Sequence, residues 1–285
     1  MRQRYLTLGA VIRDQEYYVQ EWLTFYPLIG VERFVVVLHK CIDKTEQRIR
    51  ELPFQDKIHI HHIVNDEQYV QLGTYQWIVE NYGSSTRWLM FVDSDEFLFG
   101  TKENDLRSLL VYYEEEGGLA AHWLEFGSAG HVLRPPGLSI EAYTQRAPDQ
   151  YGSHFSFKSI IQPKYFRKFL SPHLAVTYPL TVTEDFREVG ANWIWIGDRF
   201  PTWNQIRTNH YHTRSMEDWI VRYRRGQCND PGNNDLYGSH IFKCRNHDEV
   251  DDGCILRFAG PLRHLLGLPE SVITKPPRAG QGDRY

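Results

Sequence analysis

The sequence predicts an α/β fold: a central, mostly parallel sheet flanked by helices. Two observations point there. Strand-like and helix-like patterns alternate through the first hundred residues, as they do where crossover helices join parallel strands. Within that alternation the apolar run Trp88-Leu89-Met90-Phe91-Val92 stops abruptly at Asp93-Ser94-Asp95-Glu96. Open α/β sheets bind their ligands just beyond the carboxyl ends of such strands.

Each element has its own signature in the chain. Tyr5 to Ile12 reads as a buried strand. From Tyr17 to Leu28, Trp22, Phe25 and Ile29 fall on one face of a helix, which Gly30 breaks. Phe34 to Leu38 is an apolar, β-branched run typical of a central strand. Thr45 to Leu52 is a short polar helix ended by Pro53. Ile58 to Val64 alternates apolar residues with His59, His61 and His62, as a strand does. Gln68 to Tyr82 is a second long helix, stopped by Gly83. After the acidic turn come a helix near Leu106 to Glu116 and a strand from Leu119 to Phe126. Gly127 to about Pro179, rich in Gly, Pro, Ser and Tyr, predicts loops and short strands. Met216 to Arg225 is a last helix, with Ser215 and Asp218 spaced as a capping box.

The 285 residues carry a net charge of −4. A mildly acidic chain sets up no general field for nucleic acid, so that class of partner is set aside. The aromatic fraction of 14% is high, which suits a thick core or flat faces that stack on sugars and bases. Met1 to Tyr5 holds no long apolar run, and Cys41, Cys228, Cys244 and Cys254 form no CxxC pair. Free thiols and a cytoplasmic protein are expected, with a peripheral membrane contact left open.

Asp93-Ser94-Asp95 is the most informative tripeptide. In extended backbone, residues two apart project to the same face, so both carboxylates are expected to point at one place. Together they repel each other and any phosphate, a conflict that a bound Mg²⁺ or Mn²⁺ removes. Such a cation also stabilises charge building on a leaving diphosphate. The alternative is an acidic turn that merely caps the next element.

WLMFVDSDEFLF, Trp88 to Phe99, resembles the W-x-x-F-x-D-x-D-E-F-L segment of glycosyltransferase family 92 and its bacterial family 2-like relatives. Further landmarks follow in order. Arg13-Asp14-Gln15-Glu16 with Glu21-Trp22 is similar to the family's opening Lys-Asn-Glu and Glu-Trp, and Gly30-Val31 to its Gly-Val. Gln71 and Tyr75 stand where the family carries Gln-x-x-x-Tyr. Trp123 to His131 resembles W-x-x-F-G-S-x-G-H. Lys158-Ser159-Ile160 and Pro172-His173 resemble two further blocks. Asn209-His210-Tyr211, with Arg214-Ser215 and Trp219, resembles N-H-Y-x-x-R-S-x-x-x-W. One segment departs: His39-Lys40-Cys41-Ile42-Asp43 replaces Asp-Asn-x-Ser-x-Asp and keeps only its last Asp, in a region that helps hold the nucleoside in GT-A enzymes.

The resemblance implies a GT-A glycosyltransferase: one domain over 1–273, with a nucleotide-sugar-binding half (1–118) and an acceptor-side half (119–273); the tail 274–285, with its Pro-Pro and Gly-Gln-Gly, is expected to be disordered. It implies a divalent cation, Mn²⁺ or Mg²⁺, held by Asp93, Asp95 and His210. Arg13, Glu16, Asp43, Gln71, Tyr75 and Asp93 are placed toward the donor, and Trp123, Gly127 and His131 toward the acceptor. Trp193, Trp195 and Trp203 are further sugar-platform or core residues. Inversion needs a carboxylate to take the acceptor's proton. Glu125 and Asp185 are the candidates, with Glu184 and the Asp248 to Asp252 cluster as rivals. Arg222, Arg224 and Arg225 read as a charged helix face or as diphosphate partners.

The expected reaction is transfer of a hexose, galactose by resemblance, from a UDP-linked or other nucleotide sugar to a glycan or glycolipid. Two alternatives stand beside it. One is a non-catalytic carbohydrate- or nucleotide-sugar-binding protein on the same scaffold. The other is a metal-dependent nucleotidyltransferase or phosphohydrolase, which lacks here a second acidic set or a P-loop.

Overall fold

The computed structural model describes residues 3–64, 70–190, 200–225 and 239–270. Trp193, Trp195, Cys228 and the tail 274–285 lie outside them. Strands and helices alternate as β1 (Arg4–Ile12), α1 (Val19–Leu28), β2 (Arg33–His39), α2 (Thr45–Arg50), β3 (Ile58–Ile63), α3 (Val70–Tyr82) and β4 (Thr86–Phe91), followed directly by β5 (Glu96–Gly100). The second half holds α4 (Leu106–Leu110), β6 (Gly118–Glu125), α5 (Ser139–Ala142), β7 (Gln145–Arg146), β8 (Phe157–Ile161), β9 (Phe166–Phe169), β10 (Ala175–Thr177), β11 (Thr181–Val182) and β12 (Ile206–His210). The last elements are α6 (Met216–Arg225), α7 (Ser239–Arg245), β13 (Val250–Asp251) and α8 (Ala259–Leu265).

The main sheet runs β3-β2-β1-β4-β8-β6-β12-β5, with β11 also paired to β6. Strands β1 to β4 pair with one another in parallel, as β6 does with β12, whereas β8 is antiparallel to both β4 and β6, and β5 to β12. The α/β sheet flanked by helices is thus present. Among the short strands expected between Gly127 and Pro179, β8 sits in the middle of the sheet. The helix expected near Leu106 to Glu116 is shorter: α4 ends at Leu110 and one 3₁₀ turn, Val111–Tyr113, follows.

Buried apolar runs make the centre. Every residue of β2 is buried, and so are Leu6, Leu8, Ala10 and Ile12 of β1. Helix α1 packs Trp22, Phe25 and Tyr26 against them, with Phe25 set edge-on to Phe97 of β5 at 5.0 Å and to Phe258 at 5.1 Å. Burial of each such ring contributes about 2 kcal/mol. The helix ends at Gly30, whose φ of +96° suits glycine; a Cβ there would also meet Asp105 Oδ1 at 2.3 Å. Cys41, Cys244 and Cys254 are free thiols. Among the described residues no helix is long and apolar enough to cross a membrane.

One buried histidine makes the sheet acid-sensitive. His122 of β6 pairs with Phe157 of β8 and is 2% exposed, and burial pushes its imidazole down to about 4. The unfolded chain, with a pKa near 6.5, takes up this proton first as pH falls, so the native state loses stability between about 6.5 and 4. His122→Phe is expected to remove that loss. Relative to the variant, the parent should lose about 3 kcal/mol across this window in urea melts at stepped pH. Parallel pH profiles for the two proteins would refute the assignment.

Candidate functional site

The acidic turn is held from three sides. Its backbone is a turn closed by the Glu96 N–H, which donates to the Asp93 carbonyl at 3.0 Å. The indole N–H of Trp22 and the hydroxyl of Tyr26 both donate to the Glu96 carbonyl at 2.8 Å, so α1 pins the first residue of β5. The register of β5 against β12 sets Glu96 opposite His210, and the Tyr211 N–H donates to the Asp95 carbonyl at 2.8 Å. Two segments far apart in sequence thereby bring Asp95 and His210 together.

Asp95, His210 and His212 each offer a ligand atom, and these atoms lie within 4.8 Å of one another. His210 Nε2 stands 3.6 Å from Asp95 Oδ2, and its Nδ1 stands 3.1 Å from Glu125 Oε1. The indole ring of Trp123 lies against the same imidazole at 4.2 Å between centroids. Burial works against charge on His210, but Glu125 and Asp95 outweigh it and push the imidazole up to about 10. His212 goes the other way: burial, Arg222 and His210 hold it well below 6.5. For Asp95, burial opposes ionisation, yet Arg222 and His210 hold its carboxyl well below the usual range.

This donor set fits a divalent cation. One carboxylate oxygen and two imidazoles suit a Mn²⁺-type ion better than Mg²⁺, which prefers oxygen throughout. Glu125 on Nδ1 orients His210 as carboxylates orient metal-bound histidines. The site also draws positive charge: Asp95 and Glu125 flank the His210 imidazole at its two nitrogens, and Arg222 reaches Asp95 Oδ2 as well. His212 was not among the residues assigned to the metal from sequence; the signal was its spacing of two from His210.

Asp93 has different partners. Its Oδ1 accepts from Gln71 Nε2 at 2.5 Å and from the Tyr75 hydroxyl at 3.3 Å, and its Oδ2 pairs with Lys158 Nζ at 2.7 Å. Lys158 is wholly buried and also lies 3.5 Å from Glu96. The expectation that Asp93 and Asp95 point at one place rested on extended backbone, and the turn removes it. Asp93 is outside the cluster of Asp95, His210 and His212. With 31% of its side-chain surface exposed, it remains able to meet a ligand hydroxyl.

The loops after β1 and β2 are stapled to each other. Asp43 accepts from the N–H groups of Glu16 (3.0 Å) and Thr45 (2.9 Å), Asp14 accepts from Ile42 N–H at 2.8 Å, and Glu16 accepts from Lys44 N–H at 3.3 Å. The Asp14 N–H meets Cys41 Sγ at 3.4 Å, and burial pushes that thiol up to about 11, so it serves as a staple and not as a nucleophile. These loops border a cavity of about 270 Å³, lined by Asp14, Glu16 and Asp43 on the loop side and by His212, Arg214, Arg222 and Arg225 opposite. Arg13 Nε lies 4.0 Å from Asp14 Oδ2.

The remaining candidates divide by partner. Gly127 is needed for space, since a Cβ there would meet Asp248 Oδ1 at 2.1 Å and His247 O at 2.4 Å. His131 sets its ring edge-on to Tyr143 at 5.8 Å. Trp203 donates its indole N–H to the Trp123 carbonyl at 3.1 Å. Asp185 pairs with Arg187 and accepts from the Thr183 hydroxyl, while Glu184 accepts from the N–H groups of Asn204, Gln205 and Ile206. Glu184 therefore anchors the entry to β12, the end opposite His210, and the fold does not bring Asp185 to the cluster. Asp248 holds the Ala129 N–H at 2.8 Å, and Asp252 lies between Arg146 and Arg207.

The fold and the site thus define an α/β protein with a cation-type cluster and a cavity at the carboxyl ends of its strands. The chain belongs to glycosyltransferase family 92, whose sequence model matches residues 12–179, more than half of it. A family 92 protein of Ricinus communis is 25% identical over 187 residues, covering 62% of this chain and 30% of the relative, so the chain spans under a third of that relative's length. Solved structures that resemble it include residues 1–349 of Staphylococcus aureus TarS (16% identity, TM-score 0.38, 59% of this chain and 51% of that one). Another is glucosyl-3-phosphoglycerate synthase of Mycobacterium tuberculosis (13% identity, TM-score 0.30, 42% and 44%).

Proposed function

We propose that the chain is a divalent-cation-dependent hexosyltransferase. It takes a hexose, galactose first among those to test, from a UDP-linked donor and passes it with inversion to a hydroxyl of a glycan or glycolipid. The observation that carries this reading is the cluster of Asp95, His210 and His212 beside the cavity under the β1 and β2 loops. When bound, the cation would be held by those three residues and would neutralise charge on the departing diphosphate. The chain's own groups do the rest. Gln71, Tyr75 and Lys158 hold the Asp93 carboxylate with an open side for a ribose hydroxyl. Asp43 and Glu16 fix the loops on which a nucleoside rests. Arg214 and Arg225 bring positive charge to the cavity. Trp123, packed on His210, offers an indole edge beside the reacting centre.

The test is UDP release from a panel of nucleotide sugars, with and without Mn²⁺, with product mass measured on glycan acceptors. Mn²⁺-dependent UDP release and a product heavier by one hexose are expected from one donor. Absence of binding to every donor, with or without metal, would overturn the reading.

Glu125 supports it through His210. Glu125→Gln is expected to weaken Mn²⁺ binding by about 10–100-fold, with turnover largely restored at saturating Mn²⁺. A kcat that stays low at any Mn²⁺ concentration would instead make Glu125 the base.

A further inference from the structure

Helix α6 delivers one cation into the middle of the cluster. The Arg222 guanidinium pairs with Asp95 Oδ2 through Nη2, and its Nη1 lies 3.2 Å from His212 Nδ1 while also donating to the His212 carbonyl. Two of the three groups in the cluster are therefore engaged by one side chain of the same protein. A carboxylate as buried as Asp95, with 5% of its side-chain surface exposed, is costly to ionise without a positive partner. Arg222 supplies that partner from within, and its Nη1 meets His212 at the same time.

The same guanidinium borders the 270 Å³ cavity, next to Arg214 and Arg225. Neither neighbour takes a carboxylate partner among the described residues. Arg214 donates to Gln15 Oε1 at 3.1 Å and to the Ser94 carbonyl at 2.9 Å, and Arg225 donates to the Asp14 carbonyl. The Nε–H groups of both are buried without an acceptor. Acidic groups face the cavity too, but Asp43 is spent on two backbone N–H groups, Asp14 on those of Ile42 and Asp43, and Asp218 on Arg134. Unused donors thus flank the one arginine that stands in the cluster.

We infer that Arg222 is a tethered stand-in for the divalent cation, closing Asp95 and His212 in the empty protein and passing to the donor's diphosphate when the cation enters. The inference rests on the function proposed above. It explains how a site built for two positive charges stays folded without them. A metal ion arriving alone must displace a guanidinium that then lacks an anion. Arriving with a diphosphate, it leaves Arg222 a phosphate oxygen to bind in the cavity, beside Arg214 and Arg225. Metal and nucleotide are thereby coupled through one side chain, and the coupling is reciprocal.

Mn²⁺ binding to the full chain, followed by the electron paramagnetic resonance of free Mn²⁺, tests this without turnover. In the absence of nucleotide, Arg222→Gln should bind Mn²⁺ about tenfold more tightly than the parent, and at saturating Mn²⁺ it should bind UDP about tenfold more weakly. A loosened structure would weaken both, so opposite signs mark the stand-in. Arg50→Gln, at an exposed arginine of α2 paired with Glu46, should change neither. If Arg222→Gln does not fold, the parent still decides: saturating UDP should tighten its Mn²⁺ binding about tenfold, and independence of the two ligands overturns the inference. Equal Mn²⁺ affinity in the parent and Arg222→Gln, lost in both on adding Asp95→Asn, overturns the role of Arg222 and leaves the metal site standing. Mn²⁺ binding that survives Asp95→Asn removes the metal site itself, and Arg222's role with it.

Discussion

Asp95→Asn is expected to lower donor turnover by about three orders of magnitude, equivalent to about 4 kcal/mol of transition-state stabilisation. The substitution keeps shape and removes charge. The Asp95 backbone is fixed by the Tyr211 N–H on its carbonyl, and the side chain is almost fully buried, so an amide of the same size should sit in the same place. What disappears is the anionic oxygen that faces His210 Nε2 and Arg222. Asp95 is the sole carboxylate in the cluster, so a cation held by two imidazoles alone would bind weakly and stabilise little charge. UDP release at saturating donor, titrated with Mn²⁺, measures the loss, and a thermal melt of the variant separates it from unfolding. Turnover within tenfold of the parent, with its Mn²⁺ dependence intact, would move the metal to other residues.

Legibility in the sequence followed burial on both faces of the sheet. β1, β2 and β4 are covered by helices on either side, so they read as unbroken apolar runs and were visible at once. The strands that complete the site were not. β12 is buried at every position yet spells Ile-Arg-Thr-Asn-His, because its polar side chains are spent inside: Arg207 on Asp252 and Asn209, Asn209 on Tyr211, His210 on Asp95 and Glu125. Apolar periodicity cannot find a strand whose interior is polar and paired. β8 was hidden in the same way, by the buried Lys158 within it and by the Gly- and Pro-rich chain around it.

The acidic tripeptide was legible, but its geometry was not. Spacing of two fixes a shared face only in extended backbone, and the 93–96 turn breaks that condition. Lys158, 65 residues from Asp93, and His210, 115 residues from Asp95, are brought in by sheet order, and local pattern carries no trace of them. The same holds for Glu125, offered by the sequence as a candidate base: its partner His210 is 85 residues away and arrives only when β12 pairs with β6.

Lys158→Met is expected to destabilise the fold by about 3–5 kcal/mol, which a urea melt at neutral pH would show as a large fall in midpoint. Burial works against charge on Lys158, but Asp93 and Glu96 outweigh it and keep the ammonium's pKa above its usual value. Glu96 behaves differently. Burial, reinforced by Asp93 and opposed by Lys158, pushes its carboxyl up to about 8. The Lys158 ammonium thus faces the Asp93 carboxylate at 2.7 Å, with Glu96 3.5 Å away and pushed toward its protonated form. Methionine fills the volume of the lysine stem but leaves the Asp93 charge without its ammonium, with Gln71 and Tyr75 still on Oδ1. Breaking one side of a buried pair costs more than the pair contributes, because the survivor stays desolvated. Adding Asp93→Asn to Lys158→Met should recover most of the lost stability, since neither charge then remains. If the double variant is no more stable than the single one, the cost lies in packing around β8, and the ion pair does not hold the acidic turn.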